Sequence, residues 1–315
     1  MTSQTLVRIG TRGSPLALYQ AGFVAELINK VSTSEHNIEI VTFTTKGDQL
    51  TTERLINSGG KGLFTREIDD AVTEGTVELG VHSLKDVPSV LPPGQTLIAY
   101  TPRQDPRDAL LTRSGITRVQ DLPHGATVGT ASLRREAQAL ALRPDLNVIP
   151  FRGRVETRIE KLEAGQADAT FLALAGLQRL QLDHLAHPIS PQDMLPAAGQ
   201  GIIAIAANLE RLSPELSTLL KRLDDPKTHA MASAERAFLA ELDGSCRTAM
   251  AAQLTAEAGQ WCLRGEVLHP SGTHKWSAQG TALMSATLED LAELGRDLAR
   301  RIRHDAGGDF PVFTD

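Results

Sequence analysis

The chain has 315 residues, of which 41% are hydrophobic and 22% charged, and a net charge of −6. That length allows two or three compact domains, and the acidic balance argues against general nucleic-acid binding, which draws on a basic face. No apolar run approaches the roughly 20 residues of a membrane span, and Met1 to Arg8 lack a secretory pattern. The two cysteines, Cys246 and Cys262, provide neither a disulfide framework nor zinc spacing, so a cytoplasmic protein is expected.

Leu6 to Gly10 reads as a short buried strand that breaks at Gly10-Thr11-Arg12-Gly13-Ser14. Ser14 and Pro15 then open a helix as N-cap and first helical residue, running through Leu16, Leu18, Ala21, Val24, Ala25 and Ile28. Backbone N–H groups at such a helix start, with Arg12 alongside, suit an anion. Neither a P-loop nor a GxGxxG fingerprint is present. Ile38 to Phe43 alternates as a strand should. The polar stretch from Gln49 to Gly62 follows. Its Ser58-Gly59-Gly60-Lys61-Gly62 run reads either as a mobile loop carrying Lys46 and Lys61 towards a cleft or as a plain surface loop. A helix from Leu63 ends near Glu74-Gly75. The next strand, Val77 to Ser83, leads into Leu84-Lys85-Asp86-Val87-Pro88. Ligands of open α/β sheets bind beyond strand C-termini, which puts Lys85 and Asp86 where chemistry is expected; a turn-forming Asp fits the same place.

Leu97 to Tyr100 is a further strand, and the two prolines between Thr101 and Asp108 suggest a domain crossing. The alternation then restarts with strands at Ala109–Thr112, Thr127–Thr130, Leu146–Ile149 and Ala169–Leu174 and helices at Ser132–Leu142 and Val155–Ala164, which makes a second α/β domain. Arg134 and Arg135 fall in the first turn of a helix capped by Ser132; Arg152 follows the next strand, and Arg158 lies further on. Arginines this dense in an acidic protein point to a small polyanionic ligand, while surface ion pairs account for any one of them equally well. Leu195 to Gly201 reads as a hinge and Ile202 to Ile205 as a strand returning to the first lobe, so that two lobes flank a cleft. Asp224-Asp225-Pro226 sets off a third region, with a helix at Thr228–Leu242, strands at Trp261–Val267 and Lys275–Gly280, and an amphipathic helix at Leu288–Ile302. His184 and His187 lack carboxylate partners at ligand spacing, and no metal is expected. Before a strand-like Ala251–Leu254, Gly244-Ser245-Cys246-Arg247 places a thiol among small neighbours beside a guanidinium, which favours an accessible thiolate. A structural turn cysteine is the other reading.

Taken together, these motifs resemble the porphobilinogen deaminase (hydroxymethylbilane synthase) family. The resemblance rests on Thr11 to Ala17, Gly59 to Phe64, His82 to Pro88, Asp105 to Asp108, Gly129 to Arg135, Pro196 to Gly201 and Gly244 to Cys246, in family order over nearly the whole chain. It implies an α/β fold of two hinged lobes similar to type 2 periplasmic binding proteins, plus a small C-terminal α+β domain. The corresponding boundaries are 1–104 with 200–222, 105–199 and 223–315. The implied activity is that of a monomeric transferase of tetrapyrrole and haem biosynthesis. It condenses four porphobilinogen molecules head to tail, with loss of ammonia, to 1-hydroxymethylbilane. The resemblance further implies a dipyrromethane cofactor held by a thioether to Cys246, a catalytic Asp86, and a carboxylate-binding set of Arg12, Ser14, Lys61, Lys85, Ser132, Arg134, Arg135, Arg152 and Arg158.

The residue types suit that chemistry. Each pyrrole brings an acetate and a propionate, and arginine binds carboxylates bidentately while staying protonated. A fixed carboxylate bonded to pyrrole N–H stabilises the positive charge that develops as ammonia leaves. Surrounding cations are expected to keep Asp86 ionised. Three positions depart from the family's common residues: Ala249 stands where many members have Pro, Arg154 where many have Asn, and Ala131 where Ser is common. None removes a residue the chemistry requires. A non-enzymatic anion-binding protein on the same fold leaves the thiol without a role, and a cysteine-dependent hydrolase needs a His and an Asn or Asp beside Cys246.

Overall fold

Strand β1 (Leu6–Arg12) buries Val7 and Ile9 completely, and its apolar alternation is the seed of the first sheet. The computed structural model describes residues 6–32, 36–49, 62–242 and 248–311, which pack as two compact units. In the first unit, helix α1 (Pro15–Val31) starts where expected: Ser14 Oγ accepts from Ala17 N at 3.3 Å and Pro15 occupies the first turn. Strand β2 (Asn37–Phe43) pairs in parallel with β1. The short α2 (Lys46–Gln49) lies where the sequence reading had only a strand exit, and α3 (Arg66–Glu74) begins after a turn rather than at Leu63. Strands β3 (Leu79–Ser83) and β4 (Gln95–Tyr100) complete the N-terminal part of the unit.

The second unit repeats the plan. Its first sheet has β5 (Asp108–Thr112), β6 (Thr127–Gly129), β7 (Asn147–Ile149), β8 (Ala169–Ala173) and the two-residue β9 (His187–Pro188) in the order β7-β6-β8-β5-β9. Helix α4 (Leu133–Leu142) packs on one face with Leu110, Val128 and Phe171, and α5 (Val155–Glu163) with α6 (Leu174–Arg179) on the other with Leu111, Leu162 and Leu177. The chain then returns as β10 (Ile203–Asn208), which runs antiparallel between β3 and β4 and gives the first sheet the order β2-β1-β3-β10-β4. Each crossing thus delivers one antiparallel strand: β5 to the second unit, next to β8, and β10 to the first. All six residues of β10 are buried, so it reads as an unbroken apolar run and not as an alternating one.

Helix α7 (Pro214–Lys221) covers the first sheet beside α1, and α8 (Pro226–Glu241) follows. Asp224 and Asp225, expected to separate off a third region, anchor the start of α8. Tyr100 N donates to Asp224 Oδ1 and Asp225 N to Tyr100 O, both at 2.9 Å, while Thr228 N donates to Asp225 Oδ1 at 2.7 Å. An Asp before Pro suits a helix cap as well as a break. Antiparallel strands β11 (Ala249–Glu257), β12 (Gln260–Leu268) and β13 (Lys275–Leu283) form a three-stranded sheet. Helix α9 (Leu288–Ala306), opened by a Thr287–Asp290 capping box, packs Leu291, Leu298 and Ile302 with Phe238 of α8 against this sheet. The sheet also meets α4, where Leu133 and Ala137 pack with Ala249 and Leu268. At the β12–β13 turn, Gly272 has φ +73°, and a Cβ there would lie 2.8 Å from Ala137 O, so backbone meets backbone at this point.

Candidate active site

In the first unit, Arg12 ends β1 and Asp48 lies on α2. Asp48 Oδ2 accepts from Thr45 N (3.3 Å), Thr45 Oγ1 (2.8 Å) and Arg12 Nε (3.2 Å), and its Oδ1 takes Arg12 Nη2. The Arg12 guanidinium lies 4.7 Å over the Phe64 ring. A Cβ on Gly47 would run into that ring, and Gly47 N donates to Leu63 O at 2.8 Å, which holds the Phe64 segment in place. Burial disfavours the Arg12 charge, but the Asp48 hydrogen bond and the charges of Asp86 and Asp48 outweigh it and raise its pKa. Burial likewise opposes Asp48 ionisation, yet Arg12 and Thr45 bring its pKa below the ordinary carboxylate range.

Asp86 and Lys85 are half-buried in the 3₁₀ turn Leu84–Asp86, at the C-terminal end of β3. Buried Leu84, whose N donates to Ile202 O at 3.0 Å, pins that turn to the sheet. Beneath it, His82 Nε2 stands 3.6 Å from Asp69 Oδ1, both side chains buried. Burial, with the Arg12 charge second, lowers His82 to about 4, and burial above all raises Asp69 to about 6. The imidazole is therefore neutral at pH 7, and the contact is not an ion pair.

In the second unit, Ser132 caps α4, its Oγ accepting from Arg135 N at 3.5 Å, so that Arg134 and Arg135 start the helix. Both side chains are buried and share Asp108: Arg134 Nη1 donates to Oδ2 at 2.7 Å, and Arg135 Nε and Nη2 donate to Oδ1 at 2.9 and 2.7 Å. Arg152 is buried, its carbonyl accepting from Lys161 Nζ at 2.9 Å, and half-buried Arg158 donates from Nε to Gly153 O at 2.9 Å. Arg154 stands exposed at the N-cap position of α5. The ion-pair alternative describes Arg143 well, for it pairs with Asp145 at 2.7 Å and donates to the carbonyls of Gln120 and Leu122.

Arg12, Lys85, Asp86 and Ser14 thus belong to one unit, and Ser132, Arg134, Arg135, Arg152 and Arg158 to the other. Lys61 and Cys246 lie outside the described residues. The sequence reading missed the partners: Asp48 and Phe64 for Arg12, and Asp108 for the arginine pair. A charge opening the apolar run Asp108–Thr112 was the available signal for the last.

Comparison with known proteins bears on the whole chain. The model "Porphobilinogen deaminase, dipyromethane cofactor binding domain" matches residues 7–213, and "Porphobilinogen deaminase, C-terminal domain" matches 230–304. Porphobilinogen deaminases of Nitrobacter winogradskyi and Nitrobacter hamburgensis are each 44% identical over 307 residues, covering 97% of this chain and 95% of their own. Among solved structures, a TRAP periplasmic solute binding protein from Desulfovibrio salexigens aligns over 72% of this chain and 74% of its own, with 12% identity and a TM-score of 0.44. The family models and the curated relatives together establish that the chain belongs to the porphobilinogen deaminase family.

Proposed function

We propose that this member joins four porphobilinogen molecules head to tail, releasing ammonia at each step to give 1-hydroxymethylbilane, with Asp86 acting on the reacting ring. One observation carries this reading: the buried arginine pair at the head of α4. Two guanidinia meet there at Asp108, in a place where water screens their charge little. The acetates and propionates of a pyrrole chain are groups that guanidinium binds bidentately.

The donor set fits a dipyrromethane cofactor, being made of guanidinium, ammonium and hydroxyl groups, and no metal-binding cluster occurs among the described residues. Ser132, Arg134, Arg135, Arg152, Arg158, Arg12, Ser14 and Lys85 would hold its carboxylates. Lys61 joins that set and Cys246 provides the thioether anchor. When bound, dipyrromethane supplies the free pyrrole α-carbon from which the chain is extended. Asp86 accepts a hydrogen bond from the substrate's pyrrole N–H and stabilises the positive charge on that nitrogen as ammonia departs. The same carboxylate takes up the proton released when the new carbon–carbon bond is complete. Arg12, fixed by Asp48, keeps a cation close enough to Asp86 to feel its charge. A cytoplasmic monomer, with domains at 1–104 and 200–222, 105–199 and 223–315, completes the reading.

Intact mass tests it directly. Protein purified from cells should exceed the sequence mass by a dipyrromethane unit, and Cys246→Ser should lack that adduct and leave porphobilinogen unconsumed. An unmodified, fully active protein overturns the reading.

A further inference from the structure

Asp108 touches more than the arginine pair. It is fully buried and opens β5, and its Oδ1 also accepts from Gln200 Nε2 at 3.1 Å. Gln200 donates from the same nitrogen to Pro106 O at 2.7 Å. One passage of the chain through this unit runs from Asp105 to Gly201. Asp108 and Gln200 therefore tie the start and end of that passage to each other and to the head of α4. The other contacts of the pair are to neutral acceptors: Arg134 Nη1 donates to Gln138 Oε1 and Leu195 O, and Arg135 Nη1 to Phe171 O, each at 2.9 Å. Gln138 continues to Leu195 O at 3.0 Å and to Glu266 Oε2 on β12 at 3.3 Å.

Asp108 takes guanidinium hydrogen bonds on both of its oxygens, one from Arg134 and two from Arg135. An arginine side chain has many rotamers, and holding it in advance of binding removes that ordering cost from the ligand. We propose that Asp108 is the positioning residue of this arginine pair. It sets the direction of Arg134 and Arg135 towards a ligand carboxylate, and through Gln200 it couples that setting to the segment around Pro106. This rests on the functional reading above but does not require Asp108 to touch substrate.

The test uses full-length Asp108→Asn, Asp108→Glu and Gln200→Met. For each, KM and kcat for porphobilinogen, the fraction carrying the covalent adduct by intact mass, and the unfolding midpoint are measured. Removing one charge-assisted bond predicts a KM about tenfold higher or more in Asp108→Asn, with kcat changed less and a lower adduct fraction. Gln200→Met raises KM severalfold with a near-normal midpoint. Asp108→Glu, which keeps the charge but moves the carboxylate by one methylene, recovers the midpoint more than it recovers KM. If Asp108 only balances charge, the midpoint falls while KM and adduct fraction per folded molecule stay at wild type, and that result overturns the proposal. Where Asp108→Asn does not fold, Gln200→Met decides, since wild-type KM and loading there overturn it equally. A wild-type protein without adduct or porphobilinogen consumption overturns the functional reading and this proposal with it, a failure that is seen before any variant is made.

Discussion

The two arginine clusters hold their guanidinium groups at different depths. Arg12 meets Asp48 where both side chains are about a quarter exposed, 25% and 27%, and it also feels the charge of Asp86. Arg134 and Arg135, at 6% and 7%, meet at the carboxylate of Asp108, which has no exposure. Water can answer for a poorly matched charge in the first cluster but not in the second. The placement of one buried carboxylate therefore decides the direction of the pair, whereas Arg12 and Asp48 pair within reach of water. On the proposed reading both clusters hold ligand carboxylates, and Asp86, whose charge Arg12 feels, does the chemistry.

That contrast can be broken in several ways. Asp86→Asn should lower turnover by about 10²-fold or more while the adduct mass is retained, as measured by single-turnover porphobilinogen consumption. Near-normal turnover would move the chemistry elsewhere. Asp108→Ala should cost about 3–5 kcal/mol in urea unfolding, because it removes the carboxylate that two buried guanidinia share. Asp48→Ala, by contrast, removes a partly solvated partner and should cost only about 1 kcal/mol in the same experiment. Equal losses at the two sites would erase the distinction between them.

The smallest effect concerns pH. An unfolded histidine titrates near 6.5 and an unfolded aspartate near 3.8, whereas His82 is lowered to about 4 and Asp69 raised to about 6. The neutral histidine contributes stability that is present above 6.5 and lost as pH falls towards 4. The protonated Asp69 contributes stability that is present below 3.8 and lost as pH rises through 6. Between about 4 and 6 the two slopes cancel, since folding amounts to moving one proton from His82 to Asp69. Asp69→Asn should therefore leave a stability that rises from pH 4 to 6.5, and His82→Gln one that falls from pH 4 to 6, both read from denaturant unfolding across pH. Slopes of the same sign in the two variants would show that the pair does not exchange its proton on folding.

What the sequence reveals is local. Ser14 and Ser132 are legible as caps because a hydroxyl before an apolar helical stripe serves the N–H groups two or three residues on, and both do so. The strands before them are legible from their alternation or their apolar runs. The partners of the arginines are not, because Arg134 finds Asp108 across 26 residues and Arg12 finds Asp48 across 36. Nothing in periodicity says which carboxylate a guanidinium will meet. The same limit hides the second use of α4: its buried stripe faces its own sheet, while Leu133 and Ala137 also take β11 and β12. The family motifs mark Asp86 and Cys246, yet they pass over why Asp108 stands within Asp105 to Asp108.

The turn between β12 and β13 carries no chemistry, but it acts as a length standard. At Gly272 the hairpin rests on the α4 backbone with no side chain between them to adapt, so the height of the sheet above that helix is fixed by a residue that has nothing to adjust. Cys246 shortly precedes the first residue of β11 along the chain. A methyl added at the tip of this hairpin would meet helix backbone that has no room to give, so the spacing between sheet and helix would have to change there.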